Sequence, residues 1–333
     1  MRGVDISSLT CYNYTEMKLV FFDIECASVH KTYAKICAFG YVVCDENFNI
    51  LEKEDILINP RGKFELTDRK GEKGINLPYD YSEFKKHPSF PSVYGRIKEL
   101  LEDNQAYVLG HAVLNDVKYL NLETRRFHLP SFNFKFNDSQ LIFMTYKNDF
   151  SHQFGLESIA ENLNVEFTPH RAADDAYATM RIVEAMCKAK GCGYLDLINI
   201  LNVTDGKIQK YNIIRPQSKS LKLYEKQKQE AKLQRSRARV KFNNHFLKKR
   251  AIKNGKLGGA IFTFSRTIED DLSISIPLVD KIYEQGGKYS QQLETCRYFV
   301  QTENDQTARA KQARAANGIT ILEMQDLEKL LND

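Results

Sequence analysis

The run LVFFDIECAS, Leu19 to Ser28, restricts the fold more than any other stretch of this chain. Side chains at i and i+2 of a strand share a face. A strand over Lys18–Ile24 therefore sets Leu19, Phe21, Asp23 and Glu25 in one row. Leu19 to Phe22 are all apolar, so the strand must be covered on both sides. Yet the same row ends in two carboxylates, which repel each other. Desolvating them costs several kcal/mol unless something positive sits between them. A divalent cation is the natural counter-charge, because hard cations choose oxygen ligands. An isolated Asp-x-Glu is more often two solvated acids at the end of a strand. The metal reading therefore needs partners from elsewhere in the chain.

With 333 residues the chain has room for two or three domains. No run of about 18 apolar residues marks a membrane span, so no membrane partner is expected. The first residues, MRGVDISSLTCYNYTEM, contain no apolar signal core, so secretion is not expected either. Seven cysteines are scattered, and Cys187 and Cys192, the nearest pair, have no second pair to complete a zinc site. They read as reduced thiols of a cytoplasmic, or nucleoid-associated, protein.

Two further segments give the acidic pair its partners. AYVLGHAVLNDVKYL reads as a strand, Ala106–Gly110, running into a helix with Asp116 near its start. FTPHRAADDAYATMRIVEAM carries His170, Asp174 and Asp175 at the head of another helix. Positions 175, 179, 182 and 186 are Asp, Thr, Ile and Met, and belong to the apolar stripe that packs on a sheet. Asp175 is thus the inward acid, and Asp174 a solvated first-turn residue favoured by the helix dipole. In open α/β sheets ligands gather beyond the carboxyl ends of strands, where Asp23, Glu25 and Asp116 would lie.

The spacing predicts strands at Lys18–Ile24, Ile36–Cys44, Ile50–Ile58, Ala106–Gly110 and Phe136–Asp138. It predicts helices at Pro91–Asp103, Leu114–Phe127, Gly155–Leu163 and Ala172–Ala189. The set Asp23-x-Glu25, Asp116 and His170-x-x-x-x-Asp175 resembles the DEDDh 3′→5′ exonucleases, the group that includes epsilon-type proofreading subunits. GHAVLNDVKYL, NDSQLIFMT, FGLESIAENLNVEFTPHRAADDAYAT and the Gly74-Ile75 loop of GINLPYDYSEF resemble further motifs of that family in order.

The resemblance implies an RNase H-like α/β fold over residues 17–190, a mixed five-stranded sheet flanked by helices. It also implies phosphodiester hydrolysis from a free 3′ end that releases nucleoside monophosphates. Two divalent ions, Mg²⁺ or Mn²⁺, would be bridged by Asp23. Glu25 and Asp175 would complete one, and Asp116 would support the other. His170 would be the general base, because imidazole as a side-chain type, with a reference pKa of about 6.5, exchanges protons near neutral pH. The other six histidines are not expected in that role. One position departs from the family: Ala112 stands where Asn usually follows the motif's His, which bears on substrate contacts or loop rigidity rather than on the acids.

The rest of the chain changes character. From Pro216 to Lys256 there are 14 Lys and Arg against 2 Glu, a net of +12; with +5 overall, the remainder carries 5 − 12 = −7. Such a block suggests a polyanion contact, or else a solvated connector. Residues 191–255 read as a basic helical linker. Residues 256–333 alternate again, with strands at Ala260–Phe264, Tyr298–Thr302 and Ile319–Leu322 and helices at Pro277–Glu284, Thr307–Ala316 and Met324–Leu331. This segment resembles a BRCT domain, a small parallel-sheet unit. The resemblance implies that Ser265 and Lys311 grip a phosphate, on a DNA 5′ end or a protein partner, although Arg266 replaces the usual Gly and the chain has no Trp. DNA is the expected substrate. An RNA 3′-exonuclease and an inactive nucleic-acid-binding scaffold are the alternatives, and the intact acid set speaks against the scaffold.

Overall fold

The computed structural model describes residues 17–65, 77–167 and 169–332, so the Gly74-Ile75 loop lies outside the described residues. The chain forms two compact units, divided between Tyr224 and Glu225.

The first unit opens with strands β1 (Lys18–Val29), β2 (Ala34–Asp45) and β3 (Ile50–Leu57). Helix α1 (Phe90–Leu101), strand β4 (Ala106–Gly110), helix α2 (Leu114–Arg126) and strand β5 (Phe134–Asp138) follow. Next come helices α3 (Ser139–Lys147), α4 (Leu156–Asn162), α5 (Ala172–Lys190) and α6 (Tyr194–Ile200). Short strands β6 (Val203–Thr204), β7 (Gly206–Gln209), β8 (Asn212–Ile214) and β9 (Gln217–Ser218) precede helix α7 (Lys219–Phe246).

The mixed sheet has the order β3-β2-β1-β4-β5-β7-β8. β1 runs antiparallel to β2 and parallel to β4, and β4 is parallel to β5. The five expected strands are all present, and the β7–β8 hairpin adds two more from within residues assigned to the linker. That hairpin lacks the usual Asn-Gly signal: its turn residues Lys210 and Tyr211 have φ of 50° and 61°. Tertiary bonds hold them instead, with the Tyr211 N–H donating to Ser131 Oγ at 2.7 Å and the Tyr211 hydroxyl donating to the Leu129 carbonyl at 2.5 Å. Helix α3 was also not expected. Asp138 caps it by accepting the Gln140 N–H at 2.9 Å.

The alternation in β1 sorts its side chains into two cores. Leu19 and Phe21 join Ile142, Ile159, Met180 and Val183 on the α3–α6 side. Val20, Phe22 and Ile24 join Phe90, Ile97, Val117 and Leu120 on the α1–α2 side. Asp23 and Glu25 thus face α5. The strand does not stop at Ile24, as the sequence suggests; it continues to Val29 with register shifts after Glu25. Its parallel pairing with β4, however, ends at Phe21. Beyond that point the β4 side of β1 is open, and the two acids stand at its mouth.

The second unit contains β10 (Ile261–Phe264), α8 (Arg266–Asp270), α9 (Leu272–Glu284), β11 (Lys288–Tyr289), β12 (Tyr298–Gln301), α10 (Ala308–Ala315), β13 (Thr320–Glu323) and α11 (Met324–Asn332). Its four strands are all parallel, in the order β11-β10-β12-β13. Phe242, Phe262, Phe264, Val279, Ile282 and Leu327 form its core. Among the described residues no helix is long and apolar enough to cross a membrane.

Candidate active site

Asp23, Glu25, Asp116, His170 and Asp175 all line one cavity of about 1080 Å³. Each arrives from a different constraint. Asp23 and Glu25 come from the α5 face of β1. Asp116 lies in the first turn of α2, directly after the β4 loop, and is 5% exposed. Asp175 lies in the first turn of α5 on its buried side. His170 precedes that helix with a left-handed φ of 66°, and its backbone N–H donates to Asp175 Oδ2 at 3.1 Å. Ligand atoms of Glu25, His170 and Asp175 lie within 4.8 Å of one another. The imidazole is part-exposed, with Nε2 3.9 Å from Glu157 Oε1.

The electrostatics of the cavity are unfavourable for anions. Burial, then the like charges of Asp175 and Asp55, raise the Asp23 carboxyl well above the usual range. Burial, then Asp23, Asp175 and Asp55, push Glu25 up to about 9. Burial and Asp23 raise Asp116. Burial raises Asp175 to about 7, against the lowering effect of the His170 N–H. Four carboxylates in this space cannot all ionise on their own. A divalent cation would relieve that conflict, so the donor set fits an oxygen-liganded metal.

Sequence reasoning missed several supports. Gly40 pairs with Asp23 across β1 and β2, and a Cβ on it would lie 2.0 Å from the Ala172 carbonyl carbon. Only glycine lets α5 begin so close to the acids. Strand β3 fixes the same turn. The Tyr79 hydroxyl donates to Asp55 Oδ2 at 2.7 Å and accepts the Ala172 N–H at 3.0 Å. Asp174, expected in solvent, pairs with Lys53 at 2.7 Å. His111 also lines the cavity; its ring bonds Ser139 Oγ at 2.9 Å and the Phe154 carbonyl at 3.1 Å, and burial lowers it to about 4. Ala112 takes a left-handed φ of 49° and donates its N–H to Asp138 Oδ1 at 3.0 Å.

The pair expected to grip phosphate in the second unit is not presented together. Lys311 is exposed, but Ser265 is fully buried. Ser265 leads from β10 into α8, with its N–H bonded to the Val300 carbonyl, and Arg266 beside it pairs with buried Glu269. A hydroxyl enclosed in this way does not face a phosphate arriving from solvent.

Residues 20–183 match the exonuclease family model, RNase_T. The match spans just under half of the chain and includes all five candidate residues. No curated protein sequence matches the chain. Among solved structures, a 3′-exonuclease that recognises the histone mRNA stem-loop is similar at 13% identity, covering 61% of this chain and 71% of that one, with a TM-score of 0.46. The nuclease domain of 3′hExo, a DEDDh family member bound to rAMP, is similar at 17% identity over 54% of this chain and 95% of that one, with a TM-score of 0.42. E. coli Exonuclease I with a dT13 oligonucleotide is similar at 16% identity over 53% and 42%, also at 0.42.

Proposed function

We propose that the exonuclease domain is a divalent-metal-dependent 3′→5′ exonuclease that shortens DNA from its 3′ end, in proofreading, repair or end trimming. The observation that carries this reading is the convergence of Asp23, Glu25, Asp116, His170 and Asp175 on one cavity. Asp23, Glu25, Asp116 and Asp175 are the residues that would hold the cations, two by resemblance. Bound there, divalent cations supply Lewis-acid stabilisation of charge at the reacting phosphate.

The chain's own residues do the rest. His170 takes the proton of the attacking water on an imidazole nitrogen while the water oxygen bonds to phosphorus. The bond from phosphorus to the 3′ oxygen breaks, that oxygen takes a proton from solvent to become the 3′ hydroxyl of the shortened strand, and the terminal nucleotide leaves as a nucleoside monophosphate. Glu157, 3.9 Å from Nε2, stabilises the imidazolium that results. The left-handed backbone at His170 and its N–H bond to Asp175 keep the base and that acid in fixed relation.

The choice of DNA leans on the second unit. Its all-parallel order β11-β10-β12-β13 and buried Leu327 support a BRCT-like reading, a module of DNA transactions. We read this unit as a partner-binding module, without the Ser265 phosphate grip. The test is a Mg²⁺ or Mn²⁺ assay on 5′-labelled single-stranded DNA, duplex DNA and RNA. A ladder shrinking from the 3′ end of DNA is expected. A faster ladder on RNA would move the substrate to RNA, and products cut internally would refute the exonuclease direction.

A further inference from the structure

We infer that the exposed stretch of α7 from Lys226 to Lys241 is a sequence-independent contact for the phosphate backbone of nucleic acid. The inference depends on the nuclease reading only for its choice of polyanion.

Charge first raises the question. The catalytic cavity is lined by acids, and the chain outside Pro216–Lys256 is net negative, at 5 − 12 = −7. A polyanionic substrate gains little attraction from such a body. The positive charge is concentrated in α7 and the residues just after it.

The packing of α7 then shows which side is available. Phe242 is the one residue of the helix that is buried, and it packs against Phe264 and Tyr289. Arg239 makes a two-point pair with Asp270, at 2.5 and 2.8 Å, and His245 bonds Asp280 at 2.6 Å. These contacts lock the C-terminal turns in place. At 3.6 residues per turn, Gln229, Leu233, Ser236 and Val240 lie on the side opposite Phe242. Leu233 and Val240 are 51% and 55% exposed, so that side is uncovered in this chain.

Cations flank this uncharged seam on both sides. Lys232 stands on one flank, and Lys226, Arg237 and Lys241 on the other, while Arg235 lies nearer the Phe242 side. Lys226 has a loose partner in Glu230, 3.9 Å away. Lys232, Arg235, Arg237 and Lys241 are exposed and have no acidic partner among the described residues. A helix about 10–12 Å across with cations on both edges matches the roughly 12 Å spacing between the phosphate rows of a major groove. Of the seam residues only Gln229 can make a two-point bond to a base edge; Leu233, Ser236 and Val240 cannot, so the contact is chiefly to backbone. Each phosphate neutralised releases counterions, which makes the contact measurable through salt.

The experiment uses the full chain in EDTA, so hydrolysis is not needed, with a fluorescein-labelled duplex and binding followed by anisotropy across KCl concentrations. The variant Lys226→Gln/Lys232→Gln/Arg237→Gln/Lys241→Gln keeps good helix formers throughout. It is expected to bind about 10- to 100-fold more weakly at moderate salt, and its log–log salt slope should flatten by about 3.6, near 0.9 for each of four lost contacts. A second duplex of unrelated sequence should behave alike. Should the fourfold variant fail to fold by circular dichroism, Lys232→Gln and Arg237→Gln singly should each flatten the slope by about 1. An unchanged slope overturns the inference. So does loss of binding to phosphatidylserine vesicles with duplex binding intact, which would make α7 a membrane contact. Absence of any Mg²⁺-dependent hydrolysis would remove the nuclease reading but leave this result standing.

Discussion

Gly40 faces Asp23 across the β1–β2 pair, and the space where its Cβ would stand is already held by the backbone of Ala172. The first turn of α5, which carries Asp175, is therefore set by a missing side chain on the strand beside the first acid. Gly40→Ala must push that turn outward, because the obstacle is backbone rather than a flexible side chain. We expect a loss of about 1–3 kcal/mol in stability, read by urea unfolding, and a weaker response of Tm to Mg²⁺ than the wild type shows.

Strand β3 holds the same turn from the other side through Asp55 and Tyr79. Tyr79→Phe removes a hydroxyl that both donates to Asp55 and accepts the Ala172 N–H. The expected cost is about 1–3 kcal/mol, with metal affinity about 10-fold weaker, as for other residues that orient a ligand. Mn²⁺ titration of the variant checks this, and unchanged affinity would show that β3 does not position Asp175.

Ala112 occupies a left-handed conformation that a Cβ disfavours and Asn tolerates better. Ala112→Asn should raise stability by up to about 1 kcal/mol, a Tm gain of a few degrees by calorimetry. A lower Tm would mean that the added side chain clashes with the cavity wall.

The pH dependence follows from the raised carboxyls. Glu25 at about 9 and Asp175 at about 7 keep protons in the folded chain that the unfolded chain, with ordinary carboxyls near 4, has released. The folded state thus binds more protons than the unfolded one between those values, and stability falls as pH rises through the window. In EDTA, Tm should decline from about pH 5 to about pH 9. With saturating Mg²⁺ the decline should shrink, because a cation replaces the protons. A metal-free Tm that rises across this range would contradict the assignment.

The acids were legible because period-two alternation placed Asp23 and Glu25 on the row of Leu19 and Phe21, and the α5 stripe selected Asp175 over Asp174. What escaped depends on side chains that meet only in the fold. The Tyr79 hydroxyl reaches Ala172 from 93 residues away. The β7–β8 turn uses Lys210 and Tyr211, held by Ser131 and Leu129, where local chemistry would call for Asn-Gly. Burial of Ser265 depends on how the start of α8 closes over β10, which the Ser-Arg dipeptide does not announce.

The most direct measurement is calorimetric titration of the full chain with Mn²⁺ in buffers of different ionisation enthalpy, alongside Asp23→Asn. We expect saturable binding by the wild type with net proton release, since raised carboxyls must lose protons to become ligands, and no saturable binding by Asp23→Asn. Wild-type protein that binds no Mn²⁺, or an Asp23→Asn variant that binds as tightly and releases as many protons, would contradict the cation site on which the proposed chemistry rests.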